Sequence, residues 1–211
     1  MAGLAPQLIE TIRVEPERRV PLLAGHWRRL QGSCAALGYA WPGQALADAV
    51  QRRIDCLDPA LNHRMRLLLG PDSHYEIAST VLVAMPDPLR LRLHPAPLKA
   101  ELFWLHHKTT FRPWYNEAQQ WLSENPDVFD IVFCNEKDEL CEGSRCNLYI
   151  RDGSGAWLTP PVNAGLLPGV QRQSLLDGGL VREARISRSD FTCAGEIRVS
   201  NALRGWRAAT L

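Results

Sequence analysis

Lys108 has the clearest chemical potential in this sequence, because its segment sets one amine among aromatic and apolar neighbours. Two histidines precede it and two threonines follow it, within the segment Leu-His-His-Lys-Thr-Thr-Phe-Arg-Pro-Trp-Tyr of residues 105–115. Partial burial would disfavour the ammonium form and lower the pKa of the amine, which could then attack an aldehyde and form a Schiff base. Taken alone, such a lysine is more often an ordinary surface residue.

A carboxylate and a predicted helix start provide two further chemical groups. Glu142 follows a short apolar stretch and precedes the turn Gly143-Ser144, so its side chain can point into a cleft, although a solvated turn glutamate fits equally well. A loop rich in proline and glycine begins at Leu158 and leads into a predicted helix at Gly169-Val170. The first amides of a helix have no internal partner and the helix dipole is positive there, so this terminus suits a phosphate.

These three groups together match the requirements of one cofactor. An aldehyde-bearing pyridine with a phosphate needs an amine for its aldehyde, a carboxylate that keeps its ring nitrogen protonated, and an anion site. Lys108, Glu142 and the helix start at Gly169 can supply these functions. We therefore predict pyridoxal 5'-phosphate as the cofactor.

The elements that position these residues are predicted from hydrophobic periodicity and turn signals. The first two strands are expected to form a hairpin, and Gly38 is expected to end the first helix. Four prolines between residues 86 and 97 suit an edge strand that leads into a linker. The predicted strands cover residues 8–14, 20–23, 64–69, 75–84, 129–135, 148–150, 157–159 and, last, 196–200, and the predicted helices cover residues 26–37, 45–56, 113–123 and 169–176.

Length and composition fit a soluble globular chain with one large domain or two small ones. The 211 residues are 45% hydrophobic and 22% charged, and 24 Lys and Arg against 23 Asp and Glu leave a net charge of +1. Without a global field, we expect neither nucleic acid nor a membrane as partner. Met1 is followed by no basic segment and no long apolar run, so we predict a cytoplasmic protein. We place a small α+β domain at residues 1–98 and a larger domain, which carries Lys108, at residues 99–211.

The cysteine pattern favours free thiols. The six cysteines include no C-x-x-C pair, and reduced thiols of a cytosolic chain explain them more simply than disulfides. A zinc site that combines His106 and His107 with cysteines 134, 141 and 146 is an alternative, but the spacing matches no common zinc motif, and we predict no metal.

Seven motifs carry a resemblance to a known family. They stand in the family's order along nearly the whole chain, and this chain resembles the class-IV aminotransferases. These fold-type IV pyridoxal phosphate enzymes include branched-chain and D-amino-acid aminotransferases and 4-amino-4-deoxychorismate lyase. The motifs are Glu10-Thr-Ile-Arg13, His26-Trp-Arg-Arg-Leu30, His107-Lys-Thr-Thr110, Glu142-Gly-Ser with Asn147-Leu, Thr159-Pro-Pro161, Gly165-Leu-Leu-Pro-Gly-Val170 with Arg172, and Asn201-Ala-Leu-Arg-Gly205.

The resemblance implies a fold and a role for each matching residue. The fold is α+β and similar to D-amino-acid aminotransferase, with the cofactor in the cleft between a small α+β domain and a larger α/β domain. Lys108 would be the Schiff-base lysine and proton shuttle, Glu142 the partner of the pyridine nitrogen, and Arg29 a phosphate ligand. The other implied positions are Leu167 against the ring, the amides of Val170 and Gln171 at the phosphate, Ser200, Asn201 and Ala202 closing the phosphate site, Tyr115 at the ring hydroxyl, and Arg13 on the substrate side.

The same resemblance leaves three functions open. The segments His107-Lys-Thr-Thr110 and Asn201-Ala-Leu-Arg-Gly205 look most like the lyase branch, including lyase domains fused to aminodeoxychorismate synthase, in which pyruvate is eliminated and 4-aminobenzoate forms. An aminotransferase acting on branched-chain or D-amino acids with 2-oxoglutarate would use the same first steps. Most relatives carry a further hairpin before the segment equivalent to residues 8–13, so a cofactor-binding protein without turnover is the third possibility. The family also implies a small-molecule amino substrate and a homodimer.

Overall fold

The computed structural model describes residues 5–211 and divides the chain into two compact units. Residues 1–4, on which part of the expectation about the N-terminal segment rests, lie outside the described residues. Of the described residues, the first unit contains those up to Ala84 together with His107–Phe111, and the second contains Met85–His106 and Arg112–Leu211. Lys108 therefore groups with the first unit. The domain boundary between residues 98 and 99 stays a prediction. In the structure, the chain passes from the first compact unit to the second after Ala84.

The first unit is a three-stranded antiparallel sheet with two helices. The sheet order is β1-β2-β3, and residues 8–14 of β1 pair with residues 63–69 of β2. Along β2, buried and half-buried residues alternate, as expected for a strand with one face on the core. The elements are β1 (Leu8–Val14), a 3₁₀ turn (Pro16–Arg18), α1 (Leu23–Leu37), α2 (Gln44–Asp55), β2 (His63–Leu69) and β3 (Tyr75–Val81).

Most expectations for the first unit are confirmed, and one is wrong. Both helices are present, and α1 ends at Gly38, whose left-handed conformation closes the helix. The hairpin between residues 8–14 and 20–23 does not form, because β1 pairs with β2 and Leu23 already begins α1. The apolar residues Val20 and Leu23 pack against the hydrophobic core of this unit instead, which accounts for the apolar pattern that suggested a strand.

The second unit is built on an eight-stranded mixed sheet. Its strand order is β6-β5-β4-β11-β10-β7-β8-β9, in which β4 lies parallel to both β5 and β11. The strands are β4 (Leu89–Leu93), β5 (Asp130–Cys134), β6 (Leu140–Gly143), β7 (Asn147–Arg151), β8 (Trp157–Thr159), β9 (Arg182–Glu183), β10 (Ile197–Asn201) and β11 (Gly205–Thr210). The helices are α3 (Leu102–Leu105), α4 (Asn116–Glu124), α5 (Val170–Asp177) and α6 (Arg188–Thr192), with 3₁₀ turns at Pro113–Tyr115 and Val162–Ala164.

Two expectations for the second unit are corrected. β4 is an internal strand rather than an edge strand, because the prolines that suggested an edge flank the strand and leave its own amides able to pair. β10 is not the last strand, since β11 follows it after a tight turn. β11 buries only Ala209 among its residues and so lacks the apolar run that identifies a strand. Within residues 5–211, no helix has both the length and the hydropathy needed to cross a membrane.

Candidate active site

Lys108 lies in a short segment that is hydrogen-bonded to β1. Its carbonyl oxygen accepts a hydrogen bond from the amide of Ile9 at 2.8 Å, and Thr109 forms a bridge with Leu8. Thr109 is fully buried, whereas Lys108 is half-buried. The hydrogen bond from Ile9 thus holds the backbone of Lys108 against β1.

Arg29 is held by a buried carboxylate in the first unit. Its Nε and Nη2 atoms donate to the two oxygens of Glu10 at 2.9 and 2.5 Å, and Nδ1 of His26 lies 2.6 Å from one of them. Burial by itself raises the pKa of Glu10, but the charge of Arg29 and the hydrogen bonds from both partners outweigh it and lower the pKa to about 2. The preceding arginine along α1, Arg28, is exposed. The structure therefore distinguishes these adjacent arginines, and Arg29 is the one with a fixed orientation.

Arg13 occupies the opposite face of β1 from Glu10. Its Nε and Nη2 atoms donate to the side-chain oxygen of Asn62 at 3.2 and 3.0 Å, and its Nε lies 3.7 Å from Glu15. About a third of its side chain is exposed. The arginine is thus tethered by an amide that lies just before β2, the strand paired with β1, and its role toward a substrate stays a prediction.

Glu142 lies in the fully buried strand β6 of the second unit, not in a solvated turn. The residue is 5% exposed, and its carboxylate accepts a hydrogen bond of 2.7 Å from the hydroxyl of Tyr115. Burial, followed by the nearby charge of Glu142, raises the pKa of Tyr115 well above its usual value, so this hydroxyl stays a donor. The tyrosine ring packs against Phe133 with the centroids 5.3 Å apart, and Arg112 lies 4.7 Å above it. The structure thus gives the Tyr115 hydroxyl a protein partner, while its contact with a cofactor hydroxyl stays a prediction.

Asp130, which was not among the predicted site residues, organises the turn between Glu142 and Asn147. It is fully buried, and its two oxygens accept hydrogen bonds from Ser144 Oγ at 2.6 Å and from the amide of Arg145 at 2.9 Å. A Cβ atom on Gly143 would lie 2.2 Å from one of these oxygens, so only glycine fits the turn. The available signal was an acidic residue at the start of an otherwise apolar strand, Asp130-Ile-Val-Phe-Cys.

The loop before α5 is anchored by Asn147, the first residue of β7. Its Nδ2 atom donates to the carbonyl of Leu167 at 2.9 Å, and its Oδ1 atom would lie 2.0 Å from a Cβ on Gly169. Gly169 is therefore required where the helix begins, and it provides no side-chain cap. The first amides of α5, at Val170 and Gln171, precede the first hydrogen bond of the helix. The predicted helix is confirmed with a terminus of the kind that binds anions.

The last predicted site residues lie at the end of β10, where the chain turns into β11. Ser200 is buried, and its hydroxyl forms a hydrogen bond of 2.7 Å with the hydroxyl of Tyr149. Asn201 donates to the carbonyl of Arg145 at 3.1 Å, and its side-chain oxygen accepts the amide of Arg204 at 2.8 Å. Asn201 thus ties its own turn to the turn that follows Glu142.

The donor set of each unit fits the predicted cofactor. The first unit carries the amine of Lys108 and an oriented guanidinium at Arg29. The second carries a buried carboxylate at Glu142 and the uncapped start of α5, with a glycine where a larger residue would clash. These are the amine, anion-binding and ring-nitrogen functions that pyridoxal phosphate requires. Among the described residues, no group of three or more His, Cys, Asp or Glu side chains is arranged to hold a metal ion.

Comparison with known proteins shows that the sequence is similar to class IV aminotransferases. The family model described as "Amino-transferase class IV" matches residues 7–211. Among curated proteins, the chain is 27% identical over 167 residues to the "Putative aminodeoxychorismate lyase" of Schizosaccharomyces pombe, a match that covers 77% of this chain and 70% of that protein.

Two solved structures show the same fold. A "Putative amino-acid aminotransferase" from Mesorhizobium loti superposes with a TM-score of 0.89 at 32% identity, over 98% of this chain and 100% of that chain. "A hypothetical aminotransferase from Mycobacterium tuberculosis, PLP-bound form" superposes with a TM-score of 0.72 at 19% identity, over 96% of this chain and 80% of that chain. The predicted α+β fold of the class IV aminotransferases is confirmed, with a small antiparallel sheet in one unit and a larger mixed sheet in the other.

Proposed function

This chain belongs to the class IV aminotransferase family, and from that premise we propose that it is a pyridoxal phosphate-dependent lyase of the 4-amino-4-deoxychorismate type. The observation that carries the lyase assignment is the S. pombe relative, whose name specifies an aminodeoxychorismate lyase and whose match covers 77% of this chain. The reaction would eliminate pyruvate from the substrate and leave 4-aminobenzoate.

We propose a role for each predicted site residue in holding the cofactor. Lys108 would bind its aldehyde, Glu142 would face its ring nitrogen, and Arg29 with the amides of Val170 and Gln171 would bind its phosphate. Leu167, Ser200 and Asn201 would complete the ring and phosphate contacts. When bound, pyridoxal phosphate withdraws electrons from the substrate carbon next to the amine, which makes the proton on that carbon acidic.

Lys108 would act as the base and acid of the reaction. Its Nζ atom would take the proton from the substrate carbon that bears the amine. The bond between the ring carbon and the enolpyruvyl oxygen would then break, and its electrons would leave with the enolpyruvate. The electron pair of the former C–H bond would form the double bond that makes the six-membered ring aromatic. A proton delivered to the methylene carbon of the released enolpyruvate gives pyruvate.

Tyr115 would hold in place the carboxylate of Glu142, which would face the ring nitrogen of the cofactor. The hydroxyl of Tyr115 donates to one carboxylate oxygen of Glu142, and this bond restricts the rotation of the carboxylate within its buried strand. A carboxylate that is fixed before the cofactor arrives needs no reorganisation during the reaction. We expect Glu142→Gln to bind cofactor with slower proton abstraction, because a neutral amide holds the pyridinium charge poorly.

Product analysis tests this proposal. The purified protein, reconstituted with pyridoxal phosphate and given aminodeoxychorismate, is expected to release pyruvate and 4-aminobenzoate in equal amounts. Lys108→Ala is expected to abolish both this release and the visible absorption band of the lysine-bound cofactor. Absence of that band from reconstituted wild-type protein would refute any pyridoxal phosphate function.

An aminotransferase is the second candidate, and the M. loti structure favours it. That protein is named an amino-acid aminotransferase, is 32% identical, and is covered over 100% of its length. In an aminotransferase, Lys108 would move the same proton, and the amine of the substrate would pass to an oxo acid. Two assays decide for this alternative. Glutamate must form from 2-oxoglutarate and a branched-chain or D-amino acid, and no pyruvate must form from aminodeoxychorismate.

Three further features belong to the proposal. The third possibility is a protein that binds the cofactor without turnover. It would be supported if the absorption band forms and neither assay gives a product. A homodimer is proposed from the family, and light scattering after size exclusion tests it, with a monomer mass as the contrary result. The cytoplasmic location and the small-molecule amino substrate also remain predictions.

A further inference from the structure

The buried carboxylate of Glu10 restrains the guanidinium of Arg29 along one edge. A guanidinium is planar and carries five N–H donors in a fixed fork. The two hydrogen bonds to Glu10 use the edge formed by Nε and Nη2, so the plane of the group is set and the Nη1 side faces away from the carboxylate. His26 Nδ1 contacts the same carboxylate and restricts its rotation in turn.

Stability alone does not account for this cluster. Glu10 and His26 are each 1% exposed and lie beside apolar core residues of β1 and α1, such as Ile12 and Leu30. Removing charges from water is costly, and apolar residues of similar volume are often at least as stable in such positions. A buried ion pair whose arginine stays partly accessible, at 12% exposure, is suited to presenting that arginine to an anion.

The pair also decides how an anion would be recognised. The carboxylate of Glu10 balances the charge of Arg29, so the pair contributes little net positive charge. Affinity for a phosphate would then depend on correctly directed N–H groups, because charge-assisted hydrogen bonds are strong only at good geometry. Loss of Glu10 would leave the positive charge in place but release its orientation.

We propose that Glu10, supported by His26, is a positioning residue that aims Arg29 at the phosphate of the cofactor, an inference that rests on the proposed function. Glu10 touches neither cofactor nor substrate in this role. It acts through Arg29, and its effect is therefore specific to ligands that carry a phosphate.

Binding of two ligands tests the proposal without any turnover. The affinities of wild-type protein and variants for pyridoxal phosphate and for pyridoxal, which lacks the phosphate, are measured by calorimetric titration. Arg29→Ala and Glu10→Gln are each expected to weaken pyridoxal phosphate binding about tenfold or more, while pyridoxal binding changes less than about twofold. The matched controls Arg28→Ala and Glu76→Gln, both at exposed positions of the first unit, are expected to leave both affinities unchanged.

The ratio of the two affinities separates a positioning role from a purely structural one. An unchanged ratio in Glu10→Gln, with or without a lower melting temperature, would mean that Glu10 only stabilises the fold and would overturn the proposal. Tighter phosphate-dependent binding in that variant would show that net charge outweighs orientation, with the same consequence. If Glu10→Gln does not fold, Glu10→Asp keeps the charge but shortens the reach by one methylene, and an unchanged ratio there is equally decisive.

The proposal and the proposed function fail in different ways. Wild-type protein that binds neither ligand would refute the pyridoxal phosphate function itself. Wild-type protein that binds pyridoxal phosphate while Arg29→Ala keeps the wild-type ratio would leave the cofactor assignment intact and remove both Arg29 and Glu10 from the phosphate site.

Discussion

Removing the hydroxyl of Tyr115 should destabilise the protein through one hydrogen bond. Tyr115→Phe deletes the donor that lies 2.7 Å from Glu142, while the ring keeps its contacts with Phe133 and Arg112. Both partners are buried, at 1% and 5% exposure, so water cannot easily replace the lost donor. Hydrogen bonds to charged groups contribute roughly 1.5–3 kcal/mol, and we expect the free energy of unfolding to fall by about 2 kcal/mol.

A double-mutant cycle isolates this bond from other effects. Urea unfolding of Tyr115→Phe, Glu142→Ala and the double variant is expected to give a coupling energy of about 1–3 kcal/mol, because each single change removes one partner of the same hydrogen bond. Tyr75→Phe is the matched control, since its hydroxyl makes only a 3.4 Å contact with a carbonyl in an exposed setting, and a change within about 0.5 kcal/mol is expected. A coupling energy below about 0.5 kcal/mol would refute our account of how Glu142 is held.

Three further predictions concern other parts of the site. Gly169→Ala should weaken cofactor binding and lower stability by about 1–3 kcal/mol, because its Cβ would lie 2.0 Å from Asn147 Oδ1; a melting temperature and cofactor affinity equal to wild type would contradict this. Asp130→Asn should cost about 1–3 kcal/mol in urea unfolding, since the amide turns an N–H group toward the donors of Ser144 or Arg145; Asp127→Asn, at an exposed position, is the control. The lowered pKa of Glu10, from its usual 4.5 to about 2, contributes stability above pH 4.5 that is lost as the pH falls toward 2, on the order of 3 kcal/mol. The stability difference between wild type and Glu10→Gln should therefore narrow over that interval, and a constant difference would count against the buried ion pair.

Local elements of this protein could be predicted from sequence where one periodicity dominated. Both helices of the first unit, the strand at residues 63–69 and the hairpin of β7 and β8 follow from apolar spacing and turn residues. The prediction of a strand at residues 20–23 was wrong because apolar residues that lead into a helix resemble a short strand. Strand β11 was missed because its own residues have no apolar pattern. It is defined by its pairing with β10 and β4.

Several site features depend on contacts that no local pattern contains. Asp130 looked like any residue at a strand start, yet its oxygens hold a turn 14 residues further along. The partner of Tyr115 is Glu142, 27 residues away, and the partner of Arg29 is Glu10, 19 residues away. These pairings require two elements to be adjacent, and adjacency follows from the packing of whole strands and helices.

The sequence by itself determined which reactive groups this protein has and in what order they occur. An amine at Lys108, a carboxylate at Glu142 and a glycine before α5 are properties of side chains, and the order of the motifs was sufficient to identify the family. Only the tertiary structure decided how each group is oriented and buried. Orientation depends on partners contributed by distant elements, and those partners meet only when the apolar faces of the strands and helices have packed together.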